Sequence, residues 1–435
     1  MRAGSQDRRR RRSGRLGAWL AVAVLVGALA PTAKLHGSRG IRLVWHVESP
    51  SGEPLDSSRA DDAINPASIV KVATSLWALE RLGPRHRFET DFGIRGQLDA
   101  ETGVLEGDLI VVGGADPDFH VENAFLVASA LNRAGLKQVN GSLIVAGDFW
   151  VGWEGGSAGT LKDPERRARR MALRLRDALD YRRWGRGTRR EWYRFADRRG
   201  IPSGERPRVV VLDGIETSND PGSFATVLTH RSNELVNILK RFNAYSNNDI
   251  ERLESSLGTP ELLADFIAER WGLTRHAIRY ETLSGLGSNR MTPRQIVRLM
   301  QDLRATSVRM GLGVEDVLPV AGCDPGTMGS FPEFVAGPAS RTLTGKTGTL
   351  TYTDDGITAL AGYLRTMEDL LVFCVAAPRS SGRISAARRA EQRWLLERID
   401  DNGGPQALTC GLSPWHSDAD AKVIDTRSRG PTAAR

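Results

Sequence analysis

Asn65-Pro66-Ala67-Ser68-Ile69-Val70-Lys71 is the stretch that decides how this chain folds. Asn65 suits a helix N-cap, and Pro66 fits the first turn, where its missing N–H costs nothing. Gly83-Pro84 supplies the stop, and Val72, Leu76 and Leu79 recur at helical spacing between the two signals. The spacing predicts a helix with one buried face. Residues i and i+3 of a helix share a side, so Lys71 lies beside the Ser68 hydroxyl. A lysine partly stripped of water there can lose its proton and activate the serine as a nucleophile. The free N–H groups and dipole of the helix N-terminus favour an oxyanion at the same place. Alone, the S-x-x-K spacing is weak, because a chain this long holds about one or two by chance, usually on a solvated face.

Two further motifs follow in order. Ser246-Asn247-Asn248 falls in the short break between two predicted helices, where residues i and i+2 can face one cleft. Ser246 would relay a proton to a leaving amine, and Asn248 would bind substrate backbone or hold Lys71. A plain polar turn uses the same residue types. Lys346-Thr347-Gly348-Thr349 lies in the small-residue strand Thr344–Leu350, and Gly348 lets another backbone come close. Lys346 would attract a terminal carboxylate and Thr347 would hydrogen-bond it. The Thr349 N–H would join that of Ser68 in an oxyanion hole.

S-x-x-K, S-x-N and K-T-G in this order form the signature of penicillin-binding proteins and class A β-lactamases. The chain resembles the class C low-molecular-mass penicillin-binding proteins, the D-alanyl-D-alanine carboxypeptidases and endopeptidases. The likeness runs from about residue 41 to 400. It includes Gly107-Asp108-Leu109 with Gly113-Gly114-Ala115-Asp116-Pro117, and Asn243 to Asn248. Ser284-Gly285-Leu286 with Thr292-Pro293, Leu318 to Gly322, and Ala359 to Tyr363 complete it. Thr282-Leu283 stand where that family usually has Asp-Gly, and the arginine-rich stretch 160–200 replaces the later half of its insertion.

The resemblance implies an α/β serine β-lactamase/DD-peptidase transpeptidase-like fold, an antiparallel sheet flanked by helices, with an inserted accessory domain. The expected division is a signal peptide or anchor over 1–36, a catalytic domain over 37–86 and 205–411, and the insertion over 87–204. A disordered tail is expected over 412–435. It also implies peptidoglycan stem peptides as substrate, β-lactams as inhibitors, no cofactor, and Asp148 near a substrate side-chain amine. Two rivals stand beside this reading. One is a β-lactamase-like esterase of the same fold. The other is a non-catalytic wall-binding protein that holds anionic polymers with its arginines, a role that requires no Ser68–Lys71 pair.

Charge and cysteines narrow the remainder. The net charge of +8 is unevenly spread, with arginines crowded into the first fifteen residues and again between about 165 and 200. Arg8 to Arg12 and Arg15 precede the uncharged run Gly17–Ala30, the order of an export signal and of a periplasmic or extracytoplasmic protein. The run is short for a span of about 20 residues. Ala28-Leu29-Ala30 suits cleavage but Pro31 opposes it, so membrane association through an uncleaved anchor stays open. A nucleic-acid-binding arm would explain the arginines but not the apolar run, and no nucleic acid is expected as a partner. Cys323, Cys374 and Cys410 have no metal-ligand spacing. They allow one disulfide, and Cys374 in an apolar run suits a buried thiol. Asp163-Pro164 starts a helix whose Ala168, Met171, Leu175 and Leu179 form one apolar stripe, with arginines around the rest.

Overall fold

The computed structural model describes residues 40–153, 163–274, 277–411 and 415–426, so the leader expected over 1–36 lies outside the described residues. From Ile41 onward the chain forms one unit. It lays down β1 (Val44–Glu48), β2 (Pro54–Ser58), a 3-10 turn (Ala67–Ile69) running into α1 (Val70–Leu82), β3 (Glu89–Leu98) and β4 (Val104–Gly114). Next come α2 (Val121–Arg133), β5 (Gln138–Val139), β6 (Ser142–Asp148), α3 (Pro164–Leu179), α4 (Arg186–Arg199), β7 (Val210–Val211), β8 (Gly214–Ser218) and β9 (Ala225–Arg231). The last part holds α5 (Leu235–Tyr245), α6 (Glu254–Leu257), α7 (Pro260–Trp271), α8 (Pro293–Arg309) and α9 (Pro332–Val335). It ends with β10 (Leu343–Leu350), β11 (Ile357–Arg365), β12 (Leu370–Pro378), α10 (Ile384–Asp400) and β13 (Lys422–Asp425).

β11 and β12 are apolar on both faces, as strands covered from both sides must be. Ala359, Ala361, Tyr363, Val372 and Cys374 join the core shared with α1, α5, α7 and α8. Their neighbours Leu360, Leu364, Phe373 and Val375 join the opposite core with Trp394, Leu395 and Ile399 of α10. The period-two alternation thus fixes which helices cover which face. The sheet is antiparallel throughout, in the order β10-β11-β12-β1-β2. β1 pairs with β12, so the two ends of the catalytic segment complete one sheet. β10, which carries Lys346 to Thr349, is an edge strand of that sheet.

A second, eight-stranded sheet collects β3 to β9 and β13, with α2 and α3 packed on it. Here two expected boundaries shift. The accessory layer expected to end at 204 also takes in β7, β8 and β9, because Val209, Val211, Val227 and Leu228 bury into its core. The tail expected to be disordered is packed over 415–426. Its Asp418 is buried and accepts from Arg198 and Arg199, and β13 pairs antiparallel with β9. After the Ser246-Asn247-Asn248 break the chain forms a 3-10 stretch (Asn248–Leu253) and then α6, and Asn247 Oδ1 accepts the Asp249 N–H at 3.0 Å at its start. Cys323 pairs with Cys410, and Cys374 is the buried thiol. No helix among the described residues is long and apolar enough to cross a membrane.

Candidate active site

Ser68 occupies the middle of the 3-10 turn that leads into α1. Asn65 holds this turn from both sides. Its Oδ1 accepts the Ala67 N–H at 3.0 Å, and its amide donates to Gly287 O and Asp354 Oδ2, each at 2.8 Å. Ala67 has φ +49°, a left-handed conformation that costs a non-glycine residue about 1–3 kcal/mol and persists only where neighbours enforce it. Those neighbours are glycines. A Cβ on Gly285 would lie 1.9 Å from Ala67 O, and one on Gly348 would lie 2.6 Å from Pro66 O. The glycine of the third motif is therefore what lets β10 close against the serine turn.

Lys71 has no exposed surface, and its Nζ donates to Ser68 Oγ (3.1 Å), Asn248 Oδ1 (2.8 Å) and Ser284 O (2.6 Å). Burial pushes its pKa down to about 7, against an opposing pull from Glu251. Ser246 caps α5 in a left-handed conformation, φ +52°, and its Oγ accepts from Lys346 Nζ at 2.9 Å. Lys346 also donates to Thr347 O. Burial, with Lys71 and Arg388 as cationic neighbours, holds Lys346 well below an ordinary lysine. Two lysines of depressed pKa thus flank the serines, each tied to one of them.

The open edge of β10 faces this cluster. Gly345 N–H points outward to Pro319 O, and strand alternation turns the N–H groups of Thr347 and Thr349 to the same side. Arg388 of α10 props the strand by donating to Gly348 O (2.7 Å), Ala359 O (3.0 Å) and Thr349 Oγ1. The structure therefore joins Ser68, Lys71, Ser246, Asn248, Lys346, Thr347, Gly348 and Thr349 in one place. Asp148 does not join them. It ends β6, half-buried, in an open cleft of about 980 Å³ lined also by Glu165, Arg167, Glu251 and Glu254, and Ser68 is not among its walls.

Three residues have supporting roles that the sequence reading does not assign. Glu251 accepts the N–H groups of Leu283 and Ser284 (3.1 and 2.8 Å), which aims Ser284 O at Lys71. Its only sequence signal is a glutamate three residues after Asn248. Thr282, standing where Asp-Gly was expected, accepts the Gly285 N–H and donates to Leu286 O, so its hydroxyl holds the turn. Thr327 accepts from Thr347 Oγ1 at 2.7 Å and donates to Ala244 O. Its loop is fixed by the Cys323–Cys410 disulfide and the buried Lys240–Asp324 ion pair.

Comparison with known proteins gives the family and the fold. A model of the D-Ala-D-Ala carboxypeptidase 3 (S13) family matches residues 28–157 and 208–395. A D-alanyl-D-alanine carboxypeptidase from Actinomadura sp. (strain R39) is 33% identical over 110 residues, 24% of this chain and 19% of that protein. The chain thus aligns with about a fifth of that relative's length. Among solved structures, a predatory endopeptidase of Bdellovibrio bacteriovorus in complex with an immunity protein is similar with TM-score 0.73 and 22% identity, covering 88% of this chain and all of that one. Penicillin-binding protein 4 of Haemophilus influenzae is similar with TM-score 0.58 and 16% identity, over 83% of this chain and 97% of that one. A penicillin G-acylated form of another Bdellovibrio endopeptidase has TM-score 0.66 and 23% identity, covering 88% of this chain and all of that one. At these identities the structural likeness is one of fold.

Proposed function

We propose, since the chain belongs to the D-Ala-D-Ala carboxypeptidase 3 (S13) family, that it is a serine DD-peptidase cleaving peptidoglycan stem peptides. The observation that carries this reading is the Lys71 amine, held between Ser68 Oγ and Asn248 Oδ1 with a pKa of about 7. Neutral Lys71 takes the Ser68 proton as Oγ attacks the carbonyl carbon of the penultimate D-alanine. The N–H groups of Ser68 and Thr349 hold the oxyanion. As the amide C–N bond breaks, the leaving amine receives the proton that Lys71 took, relayed through Ser246. That amine is D-alanine or a crosslinked residue. Water then attacks the Ser68 ester with Lys71 as base, and the serine recovers its proton.

The substrate lies along the open edge of β10, a strand added to a strand. Its terminal carboxylate meets Lys346 and Thr347, with Thr327 behind them. The carboxylate supplies the counter-charge that buried Lys346 lacks among the described residues, and so favours its ammonium form. The Actinomadura relative, named a D-alanyl-D-alanine carboxypeptidase, supports this choice of substrate, and the penicillin G-acylated endopeptidase supports β-lactams as inhibitors. Purified protein is expected to release D-alanine from an acyl-D-Ala-D-Ala peptide and to hold penicillin as a long-lived ester. Rapid penicillin turnover without peptide hydrolysis would make it a β-lactamase-like esterase.

The basic run and the apolar run after it support export by residues 1–36, with the catalytic unit outside the cytoplasm. A reporter fused after residue 40 should be active only outside the cytoplasm. Activity confined to the cytoplasm would contradict export.

A further inference from the structure

The family match breaks off at 157 and resumes at 208, so α3 and α4 both lie in the stretch it skips. Residues 163–208 hold sixteen arginines and no lysine against seven carboxylates. The structure sorts these arginines by what they do. Arg167 stacks over Trp150, and Arg198 and Arg199 bind buried Asp418, so these anchor the helices. The apolar side of α4, Trp192, Phe195 and Ala196, is buried with Phe125 of α2 and Trp184.

Arg186, Arg189 and Arg190 differ. They share the outer face of α4 at i, i+3 and i+4, all three are exposed, and none pairs with a carboxylate among the described residues. They do not serve the helix either. They crowd its N-terminal end, where the first turn holds no acid and the macrodipole disfavours cations. Arg194, one turn on, exposed and paired with half-buried Glu191, extends the stripe. A convex stripe of guanidinium groups has no walls to enclose a small ligand, but it complements a long anion.

We propose that this stripe docks the protein on the anionic peptidoglycan polymer, away from the scissile bond. This rests on the substrate proposed above, because each uncleaved stem peptide ends in a carboxylate and the polymer repeats that charge many times. Guanidinium and carboxylate pair in a two-pronged geometry, and several weak exposed contacts on one polymer add through multivalency. A membrane surface is disfavoured by the same helix. Helices that lie on lipid present their apolar face to it, and that of α4 is already buried in the protein.

The test uses the full chain and its Arg186→Gln/Arg189→Gln/Arg190→Gln variant on two substrates at two salt concentrations. Binding to purified sacculi is measured in a Ser68→Ala background, so that cleavage does not intervene. The variant should bind sacculi roughly tenfold or more weakly at low salt, three exposed ion pairs' worth, and the gap should narrow at high salt. Hydrolysis of a small soluble acyl-D-Ala-D-Ala peptide by the Ser68-bearing proteins should be unchanged. Equal sacculus binding would overturn docking and leave a merely solvated face. Equal loss on both substrates would overturn it too, as would arginine-dependent binding to anionic phospholipid vesicles in preference to sacculi. Failure of the parent to cleave the soluble peptide would count against the proposed activity instead, and the binding comparison would still be read on its own.

Discussion

Ser68→Ala is expected to lower turnover of an acyl-D-Ala-D-Ala peptide by on the order of 10⁶, the scale found when other activated serines are removed. The fold should survive. Ser68 is half-exposed, and the hydrogen bond recorded for its hydroxyl is the one from Lys71. Alanine also fits the 3-10 turn, whose shape is set by Asn65 and by the glycines packed on Ala67. The parent and variant should therefore have matching circular dichroism and melting transitions, with kcat/KM as the quantity that collapses. A variant within about tenfold of the parent would mean that another group forms the covalent bond.

The second large effect concerns Lys71. Acylation requires its neutral form, and a pKa of about 7 leaves about half of it neutral at pH 7. The sign follows from that. The rate should rise with pH through about 6 to 8 and then level, and at pH 5 only about 1% of the amine is neutral, a roughly hundredfold loss. An ordinary lysine would instead keep gaining rate up to pH 10. Glu251 pulls against burial, so Glu251→Gln should move the inflection to lower pH. Lys71→Gln should remove the inflection altogether and cost about 10²–10⁴ in the rate of acylation, the usual contribution of a positioned base. Stopped-flow acylation by a chromogenic β-lactam across pH 5–10 measures all three. A profile flat across neutrality in the parent would assign proton removal to another group.

The chemistry was more legible in the sequence than the scaffold around it. Ser68 and Lys71 announce themselves through local spacing, which a helix converts directly into contact. The convergence of Ser246, Asn248 and Lys346 on that pair depends on tertiary placement, and was reachable only because three motifs in one order imply a known arrangement. Glu251, Thr327 and Arg388 act through backbone groups of distant segments. Their contacts span 29 to 83 residues of chain, and no local pattern encodes them.

The buried central strands β11 and β12 could be read from their continuous apolar runs. α8 begins with Thr292 as N-cap, Pro293 in its first turn and a Thr292–Gln295 capping box, a local signal that its polar sequence otherwise obscures. Residues 415–426, expected within a disordered tail, are packed for a physical reason. They are polar, and what packs them is pairing of Asp418 and Asp420 with Arg198, Arg199 and Arg87 from far upstream. In the arginine-rich stretch the apolar stripe Met171, Leu175 and Leu179 is buried as its spacing predicts, and Trp184 and Trp192 are core as well.

The account rests on Ser68 as the residue that carries the acyl group. Incubation of the full chain with a mass-labelled penicillin, followed by proteolysis and mapping of the adduct, tests this directly. The expected result is one penicilloyl group per chain, on the peptide containing Ser68, and none in Ser68→Ala. An intact protein that takes no label, or one labelled on Ser246 or another serine, would contradict it.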